Sequence, residues 1–239
     1  MKRFYLALLA TSLLPINGMK AQQTADQVLG KAIAFHDPNG NWRSLNTIFT
    51  VVMTTPEKPT RTSTIKVDFP HNSFNLKVEQ GGDTYTYNLN GDDCTITLNG
   101  SENISKADAE KFRLDCKRGD FMKNYYTYLY GLPMKLKDQG THLDPKVQKK
   151  PFKGKEYLVL KVTYDAEVGT DDWYFYFDPK SYALEVYQFY HDEAKNDGEY
   201  ILLEGLEDIN GIKMPKKRAW YVNKDNKYLG TDTLEKSTK

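Results

Sequence analysis

Four histidines, two cysteines and several adjacent carboxylates are the residues of this chain that could carry chemistry. His191-Asp192-Glu193 is the most ligand-like run. Neighbours in a strand point to opposite faces, so His191 and Asp192 do not converge on one ion, and a solvated loop is the expected setting. His36-Asp37 closes a helical stretch. A protonated His is favoured at a helix C-terminus by about 0.3–1 kcal/mol, but ring packing on the apolar stripe, with Asp37 forming the turn, is the plainer expectation. His36 and His191 are retained as candidates for a polar mouth. Asp171-Asp172 alternates across a strand start and should face water. Lys149, Lys150, Lys153 and Lys155 surround Pro151 in a basic stretch. It could touch anionic headgroups, although a solvated loop is expected. Neither G-x-S-x-G, G-x-x-x-x-G-K-[ST] nor H-E-x-x-H occurs, and no facing carboxylate pair can be nominated among 32 acidic residues. No catalytic residue, metal site or cofactor is therefore expected.

Cys94 and Cys116 are the only cysteines. An even count in an exported chain suggests a disulfide, which would stabilise by about 3 kcal/mol in the chain-entropy account. Two free, buried thiols are the alternative. The pair is not C-x-x-C, so no redox role is expected.

Composition and leader narrow the class. Lys+Arg 33 nearly cancels Asp+Glu 32, leaving a formal charge of +1. Such a balance gives no field to hold a polyanion, which argues against nucleic-acid binding. A mean hydropathy of -0.66 argues against an integral membrane protein. Lys2 and Arg3 precede an apolar run, Phe4 to Leu14, too short to span about 30 Å of hydrocarbon and broken by Pro15 and Gly18. A signal peptide over residues 1–21 is expected, with cleavage after Ala21. No cysteine lies near that point to carry a lipid. The mature chain is expected to be soluble, monomeric, and periplasmic or secreted from a Gram-negative cell.

The elements that must position any site are mostly strands, as 17 tyrosines and 13% aromatics favour. Val28, Leu29, Ala32, Ile33 and His36 mark one helical face behind a Thr24 N-cap, and Asp37-Pro38-Asn39-Gly40 ends that helix. Strands are predicted over 46–53, 60–69, 74–80, 84–89 and 94–98, joined by short Pro- or Gly-containing turns. An insert of two helices, 105–117 and 120–129, follows. Strands resume over 157–164, 171–177, 183–191, 200–206, 213–223 and 228–235, with a polar tail from about Lys236. No repeat or linker divides residues 22–239, so one domain is expected, mainly β with helices (α+β).

This order resembles the LolA/LolB/LppX-like superfamily of bacterial lipoprotein carriers. The closest segments are the run Tyr174 to Tyr182, an aromatic strand entering Asp178-Pro179, and the run Leu206 to Pro215, a D-x-N-G hairpin followed by Pro. The opening Val28 to Pro38, with Trp42 after it, is similar to a secreted family of unknown function with that fold. The resemblance implies a curved, incomplete antiparallel barrel with the N-terminal helix and the two-helix insert (about 105–132) over its concave face. Its characterised members hold acyl chains there. No arginine of this chain aligns with the one that gates the carriers' cavity, so lipoprotein hand-over is not carried across.

Three functions remain open from the sequence. The first is an envelope protein holding a lipid, an acyl chain or another apolar ligand in a half-barrel cavity, with a lipid or lipid-modified protein as the candidate partner. Leu158, Leu160, Val162, Trp173, Phe175, Phe177 and Val186 would line its cavity, although the same residues could simply fill a core. The second is an interaction or structural module without a small ligand, marked by an exposed apolar patch. The third is a hydrolase with a site at the barrel mouth.

Overall fold

The computed structural model describes residues 23–236; the expected leader lies outside them. Helix α1 (Ala25–His36) starts as the sequence indicates. Thr24 accepts from the Gln27 backbone, and the Gln27 side chain accepts in return from the Thr24 N–H, a reciprocal cap. At the other end the Asp37 carboxylate accepts from the N–H groups of Asn41 and Trp42 at 2.8 and 3.0 Å, shaping the turn into the sheet.

Five strands then run up and down: β1 (Asn46–Thr55), β2 (Lys58–Asp68), β3 (Ser73–Gln80), β4 (Asp83–Asn90) and β5 (Asp93–Leu98). Helices α2 (Lys106–Phe112) and α3 (Cys116–Gly131) follow. The chain returns through β6 (Thr141–Leu143), β7 (Gln148–Phe152), β8 (Lys155–Tyr164), β9 (Asp172–Phe177), β10 (Leu184–Tyr190), β11 (Glu199–Ile209), β12 (Ile212–Val222) and β13 (Tyr228–Lys236).

The thirteen strands of the described residues form one sheet, ordered β5-β4-β3-β2-β1-β13-β12-β11-β10-β9-β8-β6, with β7 also on β8. Every pairing is antiparallel. The β1–β13 pairing joins the early meander to the late one. β5 and β6 remain unjoined ends, so the barrel is incomplete. The insert connects those two ends and must cross the concave face to do so. α3 accordingly packs on β3, β4, β5 and β12, while α1 packs on β12. One large apolar core gathers α1, α3 and the inward residues of both meanders.

Turn chemistry fixes the register. In the β11–β12 hairpin Asn210 and Gly211 both take the left-handed conformation (φ 53° and 81°), as a two-residue turn of this hand requires. The Asp208 carboxylate accepts from the Gly211 N–H at 2.8 Å. Before β10, Asp178 accepts from the backbone of Lys180 and Ser181, making the Asp-Pro segment a rigid corner.

Three expectations change. The insert breaks at Arg113–Asp115, earlier than predicted. Arg113 turns left-handed (φ 57°) to end α2, and the Asp115 side chain caps α3 by accepting from the Arg118 N–H. The basic stretch is no loop. Lys149 and Lys150 lie in β7 and Lys155 opens β8, because Phe152 has an aromatic neighbour to bury against, Tyr176 at 5.2 Å. Val186 faces away from the other cavity candidates. A register irregularity between Leu184 and Val186 inverts the alternation of β10, so Leu184 and Tyr187 enter the main core. Val186 instead joins Tyr157, Val159, Tyr174 and Tyr176 on the outer face.

Candidate functional site

The strand residues nominated from sequence, Val186 apart, converge in the buried core. Leu158, Leu160 and Val162 of β8 and Phe175 and Phe177 of β9 all belong to the main core, and the last four are fully buried. Trp173 sits half-buried at its margin, stacked on Phe189 (4.8 Å) and edge-on to Tyr128 (5.7 Å) of α3. The two histidines are not brought together. His36 is fully buried. Its Nδ1 donates to the Lys213 carbonyl (2.6 Å) and its Nε2 accepts from the Leu184 N–H (2.9 Å). Burial, helped by Arg218 and Lys213, pushes it down to about 4 against the raising effect of the carbonyl bond. It is a structural tie between α1, β10 and β12. His191 is exposed, and its Nδ1 lies 2.7 Å from Asp171, whose hydrogen bond raises its pKa. Cys94 and Cys116 form a disulfide that pins the start of α3 to β5. Among the described residues no group of three His, Cys, Asp or Glu is placed to hold a metal.

An open cleft lies at the other half of the sheet. A cleft of about 220 Å³ runs between the inner face of β2–β4 and the α2–α3 insert. Its floor follows from strand register. Leu76 of β3 pairs with Tyr87 of β4 and Val78 with Tyr85, while Arg61 of β2 pairs with Gln80. Its roof is Phe112 of α2 and Met122 of α3. Two contacts set its height. Tyr87 donates to the Arg113 carbonyl at 2.9 Å. Gly119 brings α3 onto β4, where an added Cβ would meet Tyr87 and Leu89 at 3.2 and 3.3 Å.

The lining is apolar and cationic at once. Leu76, Val78, Tyr87 and Met122 are buried apolar surface, and Phe112 lies 6.0 Å from the Tyr85 ring. Around them stand Arg61, Lys111, Arg113 and Arg118, with no carboxylate and no histidine. Lys111 and Arg118 rest over the rings of Phe112 and Phe121. Arg61 is the inner one, and its Nε is buried without a hydrogen-bond partner. Burial pushes the Tyr87 hydroxyl up to about 12 against the opposing pull of Arg118, so the tyrosines are neutral donors near pH 7.

Arg61 also begins a charged row across the sheet. Arg61 pairs with Met53, Met53 with Asp232, and Asp232 with Arg218. Opposed residues of an antiparallel sheet share a face, so two guanidiniums and one carboxylate line the concave side. Arg218 donates to the Pro215 and Leu129 carbonyls and lies 3.8 Å over the Tyr130 ring, closing the end of α3, although its Nε, like that of Arg61, has no hydrogen-bond partner. Asp232 accepts from the Trp220 indole, and burial raises its pKa against the pull of both arginines.

Sequence reasoning missed this cleft, although the strand alternation placed Leu76 and Val78 on one face. The overlooked signal was Arg61, an arginine in phase with the inward Ser63, Ile65 and Val67 of its strand.

Comparison with known proteins gives a family and no activity. The chain belongs to DUF6503, a family of unknown function, whose model matches residues 2–236. No curated protein matches. Among solved structures it is similar to a LolA superfamily protein from Nitrosomonas europaea (10% identity, 90% of this chain and 92% of that one, TM-score 0.46). It is also similar to a DUF1329 family protein from Desulfovibrio piger (10%, 87% and 90%, TM-score 0.49). A third is a domain named for outer membrane lipoprotein sorting, from Vibrio parahaemolyticus (11%, 88% and 91%, TM-score 0.48).

Proposed function

We propose that this chain is an exported envelope protein that binds an amphiphilic molecule, with its apolar portion in the cleft between β2–β4 and the α2–α3 insert. The observation that carries the reading is the lining: aliphatic and aromatic floor, aromatic roof and no acid–base pair, a surface suited to holding a ligand. The volume of about 220 Å³ is below the roughly 300–1,000 Å³ usual for ligand sites. The cleft as it stands therefore takes one chain segment or a headgroup, and a larger guest needs the roof to move. α2 is suited to move, since none of its seven residues is fully buried. α3 is fixed by the disulfide and by its core face. No described helix is long and apolar enough to cross a membrane, and the sequence resemblance to envelope carriers agrees with a periplasmic setting.

Native mass spectrometry of the protein purified from its own envelope, with solvent extraction, tests the reading. A bound acyl species is expected, and Phe112→Asp at the roof should lower its occupancy without unfolding the chain. A clean apo mass in gentle conditions, with no binding of added amphiphiles, would overturn it.

A further inference from the structure

Resting on that reading, we infer that the molecule held in the cleft carries an anionic group, a carboxylate or phosphate on its chain, and that Arg61 is its anchor. An uncharged ligand would need only the apolar floor and roof. The cleft instead gathers Arg61, Lys111, Arg113 and Arg118 around apolar walls, and no carboxylate lines it. This local excess of positive charge stands in a chain whose total is only +1.

Arg61 carries the argument beyond a count of charges. It projects from the inward face of β2, its Nε is buried without a partner, and no described carboxylate lies within ion-pair distance of it. A buried guanidinium donor left unpaired is unfavourable, and an oxyanion with fork geometry satisfies it. Asp232 sits two strands away in the same row and its charge acts on Arg61 and Arg218 alike, so one carboxylate faces two guanidiniums without ion-pair contact to either. Arg118 projects from α3 on the same cleft and supplies a second donor group at its wall. The headgroup sits toward Arg61 and Arg118, and the chain lies along Tyr85 and Phe112, the half-buried apolar residues of the lining.

Four amphiphiles of one chain length separate the outcomes by titration calorimetry below their micelle-forming concentrations: dodecanoate, dodecyl phosphate, dodecanol and dodecyltrimethylammonium. At least one anion is expected to bind about tenfold or more tighter than dodecanol, the scale of a charge-assisted hydrogen bond. Which anion binds tells a carboxylate from a phosphate source. Arg61→Met should abolish that preference, so that on this variant neither anion binds more tightly than dodecanol. If Arg61→Met fails to fold, Arg118→Gln, half-buried at the cleft wall, should reduce the preference instead. Equal binding of dodecanol and both anions, or a preference for the ammonium, overturns the anionic assignment and leaves amphiphile binding standing. No binding of any of the four overturns both.

Discussion

Acid should loosen this fold before its carboxylates protonate, and His36 is the reason. The ring is fully buried, with Nδ1–H donating to Lys213 and Nε2 accepting from the Leu184 N–H. A second proton would place an N–H against the Leu184 N–H and bring a charge near Arg218 and Lys213. The folded state therefore holds His36 neutral down to about 4, whereas the unfolded chain protonates it near 6.5. Between those values the unfolded state binds more protons, so stability falls as pH falls. The gap corresponds to about 3 kcal/mol in total, with a slope approaching about 1.4 kcal/mol per pH unit near pH 5. Other groups act elsewhere or with opposite sign. His191, raised by Asp171, contributes stability below pH 6.5 that is lost as pH rises through its higher folded value. Asp178 is held low by Lys155, and its contribution is lost only below its ordinary 3.8. Asp232 and Glu199 are raised by burial and so favour the folded state on acidification. A difference measurement cancels them. Urea unfolding of the wild type, His36→Gln and His36→Asn at pH 7, 6, 5 and 4.5 should show the wild type's advantage shrinking steadily toward acid. Parallel stability curves would refute the assignment of His36 as the acid-sensitive tie.

Three further outcomes follow from the packing. Replacing both cysteines (Cys94→Ser with Cys116→Ser) opens a link of sequence separation 22 and should cost about 3 kcal/mol in the chain-entropy account; an unchanged denaturation midpoint would contradict it. Gly131→Ala places a Cβ 2.2 Å from the Trp42 ring, so calorimetry should show a loss of about 1–3 kcal/mol from overpacking. Phe175→Ala should cost about 3–5 kcal/mol of stability yet leave amphiphile affinity intact, because Phe175 is buried in the β8–β10 interior, away from the cleft. Weakened binding in a stably folded Phe175→Ala protein would move the site.

The fold was legible where local chemistry decides it. Thr24 with Gln27, Asp178 with Ser181, and Asn210-Gly211 each satisfy their own backbone groups within a few residues, so their sequence positions mark element ends directly. β7 was obscure because Lys149-Lys150-Pro151 looks polar in isolation. It pairs with β8 only because Phe152 reaches Tyr176 and Tyr200, and because Lys150 and Lys153 lie over the rings of Tyr174 and Tyr200. Val186 was misplaced for a related reason: a register irregularity shifts side chains by one face and leaves no mark in the residue pattern. The unpartnered Nε of Arg61 could not be seen either. Its significance depends on Met53, Asp232 and Arg218 falling in one row across strands far apart in sequence.

Why a cleft opens at β2–β4 follows from how the insert is divided. An incomplete barrel needs something over its concave face, and this one has α1 and α3 to supply it. α1 and the C-terminal half of α3 contribute Val28, Leu29, Tyr126, Leu129 and Tyr130, all buried, to the interior. That mass fills the curve in which Phe175, Phe177 and Tyr187 also lie. Toward β5 the cover changes character. The break at Arg113–Asp115 separates a helix with no fully buried residue from one anchored by a disulfide. A continuous helix across that point would have pressed a full apolar face onto Tyr85 and Tyr87. The broken one sets Phe112 over Tyr85, directs the Arg113 carbonyl to Tyr87, and leaves the cleft between them and Arg61. The short α2 is thus the element whose loss or rigid fixation should change ligand capacity most while disturbing the core least.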